Sequence, residues 1–89
     1  MKSSVTREFR LRFRQLPRDV QRRARQAYRL WRGDPAHPGL HFKQLSKRQP
    51  VYSVRIGIGY RALALRDSLG WVWFWIGTHA EYDALLKRL

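Results

Sequence analysis

Two arginines stand on either side of a glycine-bracketed turn, in the run Arg55-Ile56-Gly57-Ile58-Gly59-Tyr60-Arg61. If Gly57-Ile58-Gly59 is a three-residue hairpin loop, Ile56 faces Tyr60 and Arg55 faces Arg61 across an antiparallel pair. Like charges directly opposite on a sheet destabilise it. Placing two guanidiniums there therefore suggests a bound anion, and the planar fork of arginine suits phosphate. The competing account is two long side chains splayed into solvent. A two-residue loop would instead pair Ile56 with Arg61 and dissolve the arrangement.

A histidine adds proton chemistry. Thr78 and Glu81 match the capping box Ser/Thr-x-x-Glu, which starts a helix and puts His79 at its first position. A helix N-terminus attracts anions and disfavours an imidazolium. A neutral imidazole beside a phosphate can take a proton from a hydroxyl. The plainer account of His79 is a polar residue at a helix start. His37 and His41 sit in or near a loop with no metal-ligand spacing and receive no role. The chain has no cysteine, which excludes a thiolate zinc site, a disulfide scaffold and a Cys nucleophile. No metal and no cofactor is expected.

The elements that must position these residues are legible in outline. Val5, Phe9, Phe13 and Leu16 form one helical stripe, with Arg7, Arg10, Arg12 and Arg14 largely off it. Pro17 separates this helix from a second, striped by Val20, Ala24, Ala27 or Tyr28, and Trp31. Gly33 stops the second helix, and residues 34–39 form a loop. Strands follow at Leu40–Leu45 (weak), Val51–Ile56, Tyr60–Arg66 and Trp71–Ile76, the last two joined by a loop over residues 67–70. A short C-terminal helix carries Tyr82, Leu85, Leu86 and Leu89 on one face. The expected fold is α+β, with two N-terminal helices packed on a three- to four-stranded antiparallel sheet.

The hairpin registers also divide the sheet into faces. One carries Tyr52, Val54, Ile56, Tyr60, Ala62, Ala64, Trp73 and Trp75 and should pack on the helices. The other carries Ser53, Arg55, Arg61, Leu63, Phe74 and Ile76. Little is left in the chain to cover Leu63, Phe74 and Ile76, so an exposed apolar patch beside the arginines is expected, suited to a protein partner or to stacked bases.

Composition narrows the partners. The 89 residues are expected to form a single domain, residues 1–89. An apolar fraction of 44% argues against disorder. Fifteen arginines and four lysines against six acids give a net charge of +13. Residues 1–32 alone hold eleven bases and two acids, a net +9. Such self-repulsion points to an anionic partner, nucleic acid or an acidic protein, and the helix arginines Arg10 and Arg14 could track a phosphate backbone. The arginine excess is equally accounted for by codon bias. No apolar run is long enough to cross a membrane, and the opening MKSSVTREFR lacks an apolar signal-peptide core, which points to the cytoplasm.

The runs Phe42-Lys43-x-Leu45, Val51-Tyr52-Ser53-Val54-Arg55-Ile56-Gly57-x-x-Tyr60-Arg61-Ala62 and Trp73-x-Trp75-Ile76-Gly77-x-His79-x-Glu81-Tyr82, in that order after a helical hairpin, resemble the RelE/ParE superfamily. These are the toxins of type II toxin–antitoxin modules. The resemblance covers residues 5–89 and implies two helices on an antiparallel sheet whose concave face binds the target. The superfamily's usual first strand is missing or very short here. RelE-like members cleave mRNA in the ribosomal A site without a metal, by attack of a ribose 2′-OH on the adjacent phosphate. That activity implies a ribosome-dependent mRNA endoribonuclease in which Arg61 and Arg55 stabilise the phosphorane. His79 would be acid or base, and Tyr82 either catalytic or part of the core. Lys43, Lys47 and Arg48 would hold ribosomal RNA. Ser53 stands where another lysine is expected. ParE-like members instead inhibit DNA gyrase without catalysis, which is the alternative. Either way the resemblance implies a cognate acidic antitoxin, expected to bind at Leu63, Phe74 and Ile76.

Overall fold

The computed structural model of the chain describes residues 2–88. Strand β1 (Ser3–Val5) leads into helix α1 (Arg7–Arg14) and helix α2 (Arg18–Gly33). Strands β2 (Lys43–Ser46), β3 (Gln49–Ile56), β4 (Tyr60–Asp67) and β5 (Gly70–Thr78) follow, and helix α3 (His79–Lys87) closes the chain. Leu89 of the expected C-terminal stripe lies outside the described residues. The sheet order is β1-β5-β4-β3-β2. The fold is α+β, as expected, with one strand more than expected.

The extra strand is β1, and it pairs parallel with β5 through Ser3–Trp71 and Val5–Trp73, so the sheet is mixed. Val5, read from the sequence as the first residue of a helical stripe, is in this strand. Thr6 ends it, because its hydroxyl accepts from the Phe9 amide at 3.1 Å and caps α1. Gly70 makes room for the arrangement. Its φ is +139°, and a β-carbon there would lie 2.3 Å from the Lys2 carbonyl, which accepts from the Trp71 amide. Residues 38–40, which the sequence places at the end of a loop and, for Leu40, at the start of a strand, instead form one 3-10 turn, capped by the His37 ring, which accepts from the Gly39 amide.

Helices α1 and α2 lie on one face of the sheet. Gln21 donates its side-chain amide to the Phe13 and Leu16 carbonyls, both at 3.1 Å, which satisfies the open end of α1 and fixes the turn between the helices. Trp31 of α2 is the pin of the core. It is 1% exposed, and its ring meets Trp73, Trp71 and Phe42 edge-on at 5.0, 5.6 and 5.8 Å, with Tyr28 stacked at 5.9 Å. Val54, Ile56, Ala62, Ala64 and Ile76 complete the buried sheet face. Trp31→Ala should cost about 3–5 kcal/mol, since no smaller side chain reaches all four rings. Urea denaturation of the variant should show it; a loss below about 1 kcal/mol would remove Trp31 from this role.

The β3–β4 register is the one the glycine loop dictates, with Ile56 opposite Tyr60 and Arg55 opposite Arg61. The β4–β5 register matches expectation only as far as Ala64–Trp73. There Phe74 is inserted as a bulge, and the pairing resumes at Leu63–Trp75 and Ala62–Ile76. One extra residue reverses the faces of the rest of β5. Ile76 turns into the core at 1% exposure, and Trp75 turns to the opposite face. Leu63 is also 1% exposed, because α3 folds back over β4 and β5 on its side. The expected exposed patch of Leu63, Phe74 and Ile76 is thus corrected: two of its members are buried, and Phe74 is half-buried in the bulge.

Candidate functional site

The face away from the two long helices carries two rows of residues across the sheet. One runs Lys43, Ser53, Leu63, Trp75. The next runs Arg55, Arg61, Gly77. The two arginines are neighbours, and both fold toward the β3–β4 loop. Arg55 Nε donates to the Gly57 carbonyl at 3.0 Å. Arg61 donates through one terminal nitrogen to the Tyr60 carbonyl at 2.8 Å and the Ile58 carbonyl at 3.4 Å. Among the described residues, no carboxylate forms an ion pair with either.

α3 begins against the same loop, where the His79 amide donates to the Gly59 carbonyl at 2.8 Å. The capping box is complete. The Thr78 hydroxyl accepts from the Glu81 amide, and the Glu81 carboxylate accepts from the Thr78 amide at 2.9 Å. His79 is exposed and its Nε2 lies 3.4 Å from the Asp83 carboxylate, one turn on. Tyr82 is 7% exposed, with its ring 6.5 Å from Trp75 and 6.1 Å from His79. It lies in the contact between α3 and the sheet.

Arg12 was read from sequence as one of several arginines off the helix stripe. Instead it wraps the edge of β5 beyond the end of β1. Its Nε donates to the Ile76 carbonyl at 2.7 Å, a second nitrogen pairs with Glu81 at 3.2 Å, and its guanidinium lies 4.9 Å from the centre of the Trp75 ring. Gly77 leaves the space this needs: a β-carbon there would come within 2.8 Å of Trp75 and 2.9 Å of Arg12. The partial apolar spacing of α1 gave no hint of this contact, which depends on where β1 ends.

The remaining expected residues are spread out. Lys43 is exposed on the arginine face, and Lys47 and Arg48 lie exposed at the β2–β3 turn. Arg10 and Arg14 are exposed on α1, so the fold does not bring them to the arginine pair. On their side of the sheet an apolar groove of about 400 Å³ opens between α1 and α2, lined by Phe9, Phe13, Tyr28 and Ile56, with exposed Arg25 and Arg29. Among the described residues no cluster of metal-ligating side chains occurs, and no helix is long and apolar enough to cross a membrane.

Comparison with known proteins fits this architecture. The family model described as the ParE-like toxin domain matches residues 18–84. The chain belongs to that toxin family. No curated protein matches the toxin's sequence significantly. Its fold resembles the RelB–RelE antitoxin–toxin complex of Methanococcus jannaschii at a TM-score of 0.70 and 13% identity, over 90% of this chain and 95% of that one. The RelE–RelB complex of Pyrococcus horikoshii OT3 gives 0.68 and 13%, over 86% and 92%. The isolated Escherichia coli RelE toxin gives 0.66 and 13%, over 98% and 97%. The toxin is thus a RelE/ParE-superfamily protein by sequence and by fold.

The Glu81 carboxylate is held below its ordinary pKa, first by the Thr78 amide, partly opposed by burial, and then by the Thr78 hydroxyl and Arg12. A group whose folded pKa is lowered stabilises above its unfolded value, and that stability is lost as pH falls through the folded one. Glu81→Gln should therefore melt below the wild type at neutral pH. The gap should close as pH drops below about 4.3, the ordinary glutamate value. Thermal melts across that range check this; a gap independent of pH would contradict it.

Proposed function

We propose that this toxin is a metal-independent, ribosome-dependent mRNA endoribonuclease that inhibits translation. The observation that carries the reading is the Arg55–Arg61 pair, two arginines directly opposite each other on the sheet whose guanidiniums are held by neutral carbonyls. A phosphodiester lying over them gains two forks of charged donors, and the charge that develops on its oxygens during attack strengthens both contacts. In this reading a ribose 2′-OH attacks the adjacent phosphorus, the P–O5′ bond breaks, and a 2′,3′-cyclic phosphate and a 5′-OH result. In the same reading His79, whose Nε2 lies 3.4 Å from Asp83, is the acid that gives a proton to the departing 5′-oxygen. Lys43, in the neighbouring row on β2, extends the positive surface beside the pair, and Lys47 and Arg48, in the turn at the far end of β3, offer further contacts to ribosomal RNA. Arg10 and Arg14, on the other side, offer only general attraction to RNA. Tyr82 acts as the packing anchor of α3. The likeness to RelE folds supports the reading.

The partner of such a toxin is an antitoxin, as in the RelB–RelE antitoxin–toxin complex it resembles in fold, and the net charge of +13 calls for an acidic one. Phe74 remains available to it. The apolar groove between α1 and α2 also suits an amphipathic segment whose acids meet Arg25 and Arg29.

A second reading has its own observation. Ser53, in the position where RelE-type enzymes would carry a lysine, is 2% exposed and presents no charge. This favours a non-catalytic inhibitor of DNA gyrase. Primer extension on a ribosome-bound mRNA, with and without the toxin, separates the two. Cuts that appear only with the toxin support the nuclease. No cuts, together with inhibition of gyrase supercoiling, overturn it. Within the nuclease reading, Arg61→Ala should lower single-turnover cleavage by about 10²–10³ with ribosome affinity nearly unchanged. Arg10→Ala should mainly weaken ribosome binding and flatten its salt dependence.

A further inference from the structure

His41 has an unusual backbone. Its φ is 45° and its ψ 41°, the left-handed conformation, and among the described residues it is the only non-glycine with positive φ. It ends the 3-10 turn, a position that glycine or asparagine fills with less strain. Such strain in a side-chain-bearing residue is a pointer to function when the side chain reaches a site. Here it does. Extending the Lys43–Ser53 register by two residues puts His41 opposite Arg55, at the end of the Arg55, Arg61, Gly77 row. Its Nε2 lies 3.4 Å from a terminal nitrogen of Arg55.

Guanidinium nitrogens only donate, so this contact exists only while Nε2 carries a lone pair and the ring proton sits on Nδ1. We infer that His41 is the general base of the cleavage site, a role that rests on the nuclease reading above. A bound phosphate is a stronger acceptor than an imidazole, so it draws the Arg55 N–H to itself. The Nε2 lone pair is then left beside the phosphodiester. The 2′-O–H bond breaks with its proton passing to Nε2, and the 2′-oxygen bonds to phosphorus. The P–O5′ bond breaks as His79 gives its proton to the 5′-oxygen. His41 leaves the step protonated and His79 neutral, and exchange with water resets both. The two histidines stand on opposite sides of the arginine pair by element: His41 before β2, His79 at the start of α3.

The backbone strain makes the inference separable from folding. His41→Gly removes the ring and suits the left-handed conformation, so its melting temperature should equal or exceed that of the wild type. Its single-turnover cleavage should nonetheless fall by about 10² or more, the usual contribution of a general base, and added imidazole should restore part of the rate. His41→Asn also tolerates the conformation and should lose activity in the same way. Cleavage by a folded variant within about threefold of wild type overturns the inference while leaving the nuclease reading intact. So does a loss that imidazole leaves unchanged, which would make His41 a positioning residue. A wild type that cleaves nothing overturns both readings.

Discussion

An extra residue in β5 sets the phase of the strand that both layers share. Before Phe74, Trp71 and Trp73 point toward α2, where Trp31 is wedged between them. After it, a strand of unchanged phase would have sent Trp75 into the same core and Ile76 to the far side. The bulge does the reverse. Ile76 fits beside Ala62 and Val54 under the helices, and Trp75 becomes the bed on which α3 lies. Trp75 in turn needs Gly77 beside it, and Gly77 is the neighbour of Arg61. With no side chain there, the arginine face stays open at its β5 end. The same bulge that completes the core therefore clears the ground next to the charged pair.

The edge of β5 ties these parts together. β1 covers it only as far as Trp73, where the Thr6 amide makes the last backbone bond. Beyond that, Arg12 takes over by bonding the Ile76 carbonyl with its side chain. An open strand edge invites pairing with another chain, and a guanidinium on the edge blocks that while linking α1 to the first turn of α3. The exposed Arg12–Glu81 pair contributes little on its own. Its value lies in where it holds the end of the helix that carries His79.

Much of this was legible in the sequence where the cause was local. The glycines of the 57–59 loop fixed the β3–β4 register and hence the arginine pair. The Thr78–Glu81 spacing marked the start of α3, and Pro17 the break between α1 and α2. What stayed hidden depends on partners far away in sequence. Three residues of β1 are too few to show an alternating pattern, and their parallel pairing needs β5, nearly seventy residues on. A bulge changes neither composition nor turn residues, so an apolar strand such as Trp71–Ile76 reads the same with or without it. Ile76 is buried by that bulge, and Leu63 by the return of α3 over the sheet. His41 carries no signal in the sequence, because only the fold brings it to Arg55.

The way the arginine pair is held bears on what it can bind. Salt bridges to carboxylates would have fixed both side chains but neutralised them, and any incoming anion would then compete with a full charge. Carbonyl oxygens orient a guanidinium without cancelling its charge. Arg55 spends its Nε on Gly57, and Arg61 one terminal nitrogen on Tyr60 and Ile58, so each keeps further donors free. Because these anchors lie in one short hairpin loop and in Tyr60, the first residue of β4 after it, the two forks are set relative to each other by that loop's conformation, in which Gly57 has a φ of +59°. A pair held this way is oriented before a ligand arrives, and it retains two positive charges that repel each other. The repulsion is relieved when a dianionic or developing charge bridges them. On the nuclease reading, that favours the charge-rich transition state of phosphoryl transfer over a singly charged phosphodiester at rest, which is the differential that catalysis requires.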